Sequence, residues 1–115
     1  MFIDNRTRML HIVDAARDAV SFAENRTKND LDTDKMLSFA LVRCLEIIGE
    51  AASRITKQRR DELSQIEWAK IVGLRNRIIH AYFDIDFDIV WDTVTMDLPV
   101  LIAQLEEIIQ SEPEG

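Results

Sequence analysis

The sequence predicts an all-α fold, an antiparallel bundle of four to five helices, and three observations carry that prediction. Apolar residues recur at helical spacing along most of the 115 residues, and only three glycines and two prolines punctuate them. A single cysteine, Cys44, excludes an intrachain disulfide and any multi-cysteine zinc site, so the fold must stand on its core. The length supports one domain, placed at residues 1–110, with 111–115 as a flexible tail.

Each helix has its own signal. Met9, Ile12, Val13, Ala16, Val20 and Ala23 share one face of a first helix, which should end where polar residues take over at 25–29. Asp32, Thr33 and Asp34 offer N-caps for a second helix. Its stripe, Leu37, Leu41, Cys44, Leu45, Ile48, Ala52 and Ile55, is the clearest in the chain and makes Cys44 a reduced core thiol, not a nucleophile. Gly49 within it costs about 1 kcal/mol relative to Ala, which close helix packing would offset. A shorter connection follows over 57–65, with room for a helical turn of its own. A third helix is predicted from Glu67 to His80, with Trp68, Ile71, Val72, Leu74, Ile78 and Ile79 supplying apolar surface. Trp68 and Trp91 read as core or dimer anchors. Residues 81–85 break the pattern, and Asp86 can cap a last helix running from Ile89 to Ile109. Pro99 lies inside that helix and predicts a bend near Thr95. The last helix is apolar on more than one narrow stripe, so a bundle this small is predicted to be a homodimer.

Charge narrows the function. The chain carries −7 overall, but residues 54–80 hold a net of +4 and residues 81–115 hold nine carboxylates with no Lys or Arg. A uniformly basic nucleic-acid binder is excluded and no DNA partner is expected, while a local basic site within an acidic body is allowed. Arg54 to Arg60 taken alone reads as a solvated helix end. No apolar run approaches the ~18 residues of a membrane span, and the opening residues do not read as a signal peptide, which points to a cytoplasmic protein.

The chemistry concentrates in one stretch. His11 stands alone and reads as a structural or surface residue, and no metal site or cofactor is expected. His80 closes the run Arg75-Asn76-Arg77-Ile78-Ile79-His80-Ala81-Tyr82. On a continuous helix Asn76 and His80 share a face, while Arg75 and His80 stand about 140° apart. Guanidinium can clamp a phosphate and imidazole can move protons at neutral pH. RNA brings its own nucleophile, the 2′-hydroxyl. From composition and spacing alone, the reading favoured for the same residues is that they satisfy the last carbonyls of a helix and complement its dipole. Glu46 and Glu50, four apart, form either a surface ion-pair ladder with Arg43 and Arg54 or a support in which one carboxylate reaches across to orient Arg75 or the partner.

The motif Arg-x4-His-x-Tyr at Arg75, His80 and Tyr82 resembles that of the HepT-like branch of the HEPN superfamily. So do the segments Leu45 to Ala52, Ile66 to Trp68, Gly73 to Arg77, Tyr82 to Asp86, Ile89 to Val94 and Asp97 to Pro99, in order along nearly the whole chain. The resemblance implies an all-helical, HEPN-type homodimer acting as the toxin of a toxin–antitoxin pair. It implies metal-independent cleavage of tRNA or mRNA at a dimer-interface site built from Arg75 and His80, with Asn76 beside them. It also implies an MNT-type nucleotidyltransferase antitoxin that transfers AMP from ATP to Tyr82. The acidic last third would then restrict which RNA reaches the site. An alternative keeps the chain non-catalytic, as a helical substrate-binding partner of a nucleotidyltransferase.

Overall fold

Two long helices frame the molecule in a computed structural model that describes residues 3–81 and 84–112; the side chains of residues 80 and 81 lie outside the described set. α1 (Asn5–Ala23) and α3 (Lys35–Arg54) pack antiparallel. Asn5 at the start of α1 exchanges two hydrogen bonds with Thr56, just past the end of α3, each 3.1 Å long. Both N-termini are capped by aspartates. The Asp4 carboxylate accepts from the Thr7 N–H at 2.7 Å and the Asp34 carboxylate from the Leu37 N–H at 3.2 Å. α1 ends sooner than its polar boundary suggests, because Asn25 turns the chain with a φ of 61°, a conformation that Asn tolerates. A one-turn helix, α2 (Asp30–Thr33), precedes Asp34, and Arg26 bridges Asp30 and Asp34 across it.

Every residue of the predicted α3 stripe is buried, Cys44 included, and burial pushes the Cys44 thiol pKa up, which keeps it protonated. α4 (Lys57–Glu62) fills the connection and is solvated, as its charges require. Next come α5 (Trp68–Val72) and α6 (Leu74–Ile78), which correct the predicted continuous helix from Glu67 to His80. Gly73 divides them with φ −84° and ψ 5°, short of helical ψ. Helix geometry stops at Ile78, so His80 is not helical. It lies in β1 (Ile79–Ala81), which pairs antiparallel with β2 (Asp84–Ile85), and the Asp86 N–H closes back on the Ile78 carbonyl at 2.8 Å.

Asp86 caps α7 (Phe87–Asp92) through the Ile89 N–H at 3.1 Å, as the sequence predicts. α7 runs through a π turn at Thr93–Asp97 into α8 (Leu98–Ser111). Where Pro99 predicts a bend near Thr95, the chain makes this π turn: the Leu98 N–H reaches back five residues to Thr93, just before Pro99, which has no N–H to offer. α8 continues through Ser111, and the Glu112 carboxylate meets Arg59. Four of the nine carboxylates of the last third are answered by the body: Lys28 pairs with Asp88, Lys70 with Asp97, Arg17 with Glu106 and Arg59 with Glu112. The Arg6 guanidinium donates to the carbonyls of Ile109 and Glu112 at the end of α8, at 3.0 and 2.6 Å. No helix among the described residues is long and apolar enough to cross a membrane.

Candidate active site

α6 presents Arg75 and Asn76 to solvent while Leu74 and Ile78 anchor its other face in the core. The Arg75 side chain is 68% exposed, and its Nε stands 3.5 Å from Oε2 of Glu46, which is only 28% exposed. The two glutamates of α3 therefore part company. Glu50 takes Arg54 on its own helix, at 2.9 Å, as a surface ladder pair. Glu46 crosses to α6. The Arg43 end of the predicted ladder does not form among the described residues: Arg43 is exposed and makes no ion pair with Glu46.

The break at Gly73 and the strand at Ile79 reset the geometry of the motif. Asn76 and His80 do not share a helical face, because the backbone is extended from Ile79 onward. The chain leads from the exposed Arg75 through buried Ile78 straight into the strand that holds His80. The His80 side chain, and Tyr82 altogether, lie outside the described residues.

Gly49 explains how α6 comes so close to α3. A Cβ there would stand 3.3 Å from the Ile71 carbonyl oxygen, 3.8 Å from that of Val72 and 3.9 Å from Cβ of Leu74. The α5–α6 junction thus lies directly on α3, one turn from Glu46, and the close packing expected at Gly49 is present. His11 is exposed. Trp68 is buried, with its indole N–H donating to the Leu63 carbonyl at 3.0 Å, a core role.

One feature gave no sequence signal. Arg77, two residues from Arg75, falls on the opposite side of α6 and lines a cavity of about 190 Å³ with Ile71, Leu74, Asp97, Leu101 and Gln104. Its Nη1 is buried without a hydrogen-bond partner among the described residues. Helical spacing alone separates the two arginines, but only the packing of α8 shows which one faces inward.

The family model described as "Ribonuclease HepT-like" matches residues 12–108, which include Glu46 and all of Arg75 to Tyr82. A protein of Caldanaerobacter subterraneus subsp. tengcongensis named "Putative RNase" is 35% identical over 107 residues, covering 93% of this chain and 96% of that one. A Methanocaldococcus jannaschii protein of the same name is 35% identical over 103 residues, 90% of this chain and 94% of its own. "Probable ribonuclease HepT" of Thermococcus cleftensis is 35% identical over 95 residues, 79% of this chain and 86% of that one. No solved structure matches the chain. The class these findings define is the all-helical ribonucleases. Within it, the chain belongs to the HepT-like ribonuclease family.

Proposed function

We propose that the chain is the ribonuclease toxin of a toxin–antitoxin pair, cleaving RNA without a metal at Arg75, Asn76 and His80. The observation that carries this reading is the solvent-facing Arg75 guanidinium, held by a carboxylate of α3 and set immediately before the strand of His80. The 2′-hydroxyl of the RNA attacks its own neighbouring phosphate, and the 5′-oxygen leaves. Arg75 offsets the charge that develops on the phosphate, and His80 moves the proton. Asn76 hydrogen-bonds a phosphate oxygen or the imidazole.

One imidazole does not readily serve as acid and base on one phosphate, so the site is shared by two copies. Exposed apolar residues support a homodimer. Met36 and Phe39, 84% and 66% exposed, lie on the outward face of α3 that also carries Glu46. The antitoxin is an MNT-type nucleotidyltransferase that moves AMP from ATP to the Tyr82 phenol oxygen and releases pyrophosphate. A nucleotide there adds negative charge and bulk two residues from His80, which shuts out the RNA phosphate. The RNA is tRNA or mRNA.

Incubating the purified protein with total RNA in EDTA tests the reading. Cleavage is expected, and it is expected to disappear in Arg75→Ala and in His80→Ala; undiminished cleavage by both variants defeats it. Modification has its own measurement. Intact mass should rise by whole AMP units with ATP and the nucleotidyltransferase, and Tyr82→Phe should not shift.

A further inference from the structure

We infer that Glu46, and not Glu50, is a positioning residue for Arg75, with Gly49 setting the separation at which the two meet. The inference rests on the assignment of Arg75 to the RNA phosphate, and it adds how that side chain is aimed.

The contact falls on one particular edge of the guanidinium. Glu46 meets Nε, the nitrogen nearest the backbone, at 3.5 Å, and the two terminal Nη groups of this 68% exposed side chain have no other ion pair among the described residues. Those two nitrogens form the fork that grips a phosphate bidentately. A carboxylate on the Nε edge fixes the plane of the guanidinium without occupying the fork. The partners also differ in rigidity. Glu46 sits in the middle of a twenty-residue helix between buried Leu45 and buried Ile48, while Arg75 rides on a five-residue helix. The long helix therefore holds the short one's side chain, and not the reverse.

Glu46 has this freedom because its own helix offers little competition. The one cation within a turn is Arg43, three residues away, and it is exposed and makes no ion pair with Glu46 among the described residues; the residues four away are Val42 and the like-charged Glu50. Gly49 completes the arrangement. The atoms nearest its missing Cβ belong to Ile71, Val72 and Leu74, just before Arg75, and of these only the Ile71 carbonyl oxygen would stand closer than ordinary contact. A methyl group there presses on the Ile71 carbonyl at 3.3 Å, so the end of α5, which leads into Arg75, must give by a few tenths of an ångström.

The signature of positioning is a split between rate and affinity. Glu46 is a negative charge beside the phosphate site, so removing it does not weaken the capture of RNA. It does release Arg75 from its aim, so the guanidinium spends less of its time where the phosphate needs it. For the RNA cleaved in the EDTA assay, Glu46→Ala should lower kcat about two- to fivefold with KM unchanged or reduced, the range that loss of an exposed ion pair can produce. Glu46→Gln, which keeps an acceptor for Nε, should recover part of the loss, and Gly49→Ala should reproduce part of it. Glu50→Ala should keep the wild-type kcat.

A second measurement needs no substrate. The Arg75 Nε–H resonance in ¹⁵N NMR should exchange with water faster in Glu46→Ala, and in Glu46→Gln should fall between that and wild type. Unchanged exchange in Glu46→Ala overturns the inference, as does a wild-type kcat in Glu46→Ala when Arg75→Ala is inactive. If Arg75→Ala itself cleaves normally, the ribonuclease assignment of Arg75 fails. The exchange measurement then reports whether the ion pair alone survives.

Discussion

The α1–α3 pair and the stretch from Trp68 to Asp97 are built on opposite plans. The first consists of nineteen- and twenty-residue helices with side-chain caps at their N-termini and continuous buried stripes. The second is cut into two five-residue helices, a short hairpin, a six-residue helix and a π turn. Every part of the candidate site except Glu46 lies in the broken half. The contrast shows a division of labour. A regular frame supplies stability and one fixed carboxylate, and the irregular segment supplies side chains at angles that a single helix cannot reach. Arg75 on a helix and His80 on a strand can be five residues apart without being tied to helical spacing.

The largest expected effect separates the two halves by hydrogen exchange. Amides in the middle of α3, around Leu45 and Ile48, should exchange only through global unfolding, for which typical domains require ~5–15 kcal/mol. Amides of α6 and β1 should exchange through much cheaper local openings, since helices of five residues have few internal hydrogen bonds to lose. Equal protection in both would erase the distinction.

Next in size is Ile48→Ala. Ile48 is fully buried in the frame, and truncating such a residue costs ~2–5 kcal/mol, read as a fall in the denaturant midpoint. The exposed Arg75 offers the counterpart. Arg75→Ala should abolish cleavage yet change stability by no more than ~0.5 kcal/mol, because the side chain is mostly in water and its one ion pair is a surface pair. A large loss of stability in Arg75→Ala would make it part of the frame.

The two halves also differ in how much of them is written locally. The α3 stripe, the Asp34 and Asp86 caps and the tight approach at Gly49 all follow from residues within one helix or from a missing side chain, and all are present. The break at Gly73 is hidden because Trp68, Ile71, Leu74 and Ile78 keep helical spacing straight through it. A periodic pattern records which face is buried but not a change in ψ. The strand at His80 depends on the Asp86 N–H reaching the Ile78 carbonyl, a bond between residues eight apart that no local pattern contains. For the site, sequence brought Arg75 and Glu46 forward together, but only the packing of α6 on α3 decides between Glu46 and Glu50.

Acid should act on the frame through its caps. The Arg26 guanidinium, with the Leu37 N–H, holds the Asp34 carboxyl below the ordinary carboxylate range, and the Thr27 N–H with Arg26 does the same for Asp30. The Thr7 N–H lowers Asp4. A carboxylate with a depressed folded pKa contributes stability above its unfolded value, near ~3.9, and loses it as pH falls through the folded value. Stability should therefore decline below about pH 4. Asp34→Ala should show a shallower decline and, at neutral pH, a lower midpoint, by much less than Ile48→Ala. A decline of wild-type steepness in Asp34→Ala would remove this cap from the account.

The smallest expected effect concerns what holds the broken half together. Lys70 and Asp97 tie α5 to the π turn at 3.1 Å, with side chains 39% and 43% exposed. A pair so open to water contributes ~0–1 kcal/mol, and less as salt screens it, the Debye length falling to about 3 Å at 1 M. Lys70→Met keeps an aliphatic stem of similar length, so it isolates the charge. Its cost should lie within that range in dilute buffer and shrink toward nothing at 1 M NaCl. A larger, salt-insensitive cost would mean that ionic geometry braces the irregular segment as firmly as apolar packing braces α1 and α3. In that case the site stands on two frames instead of one.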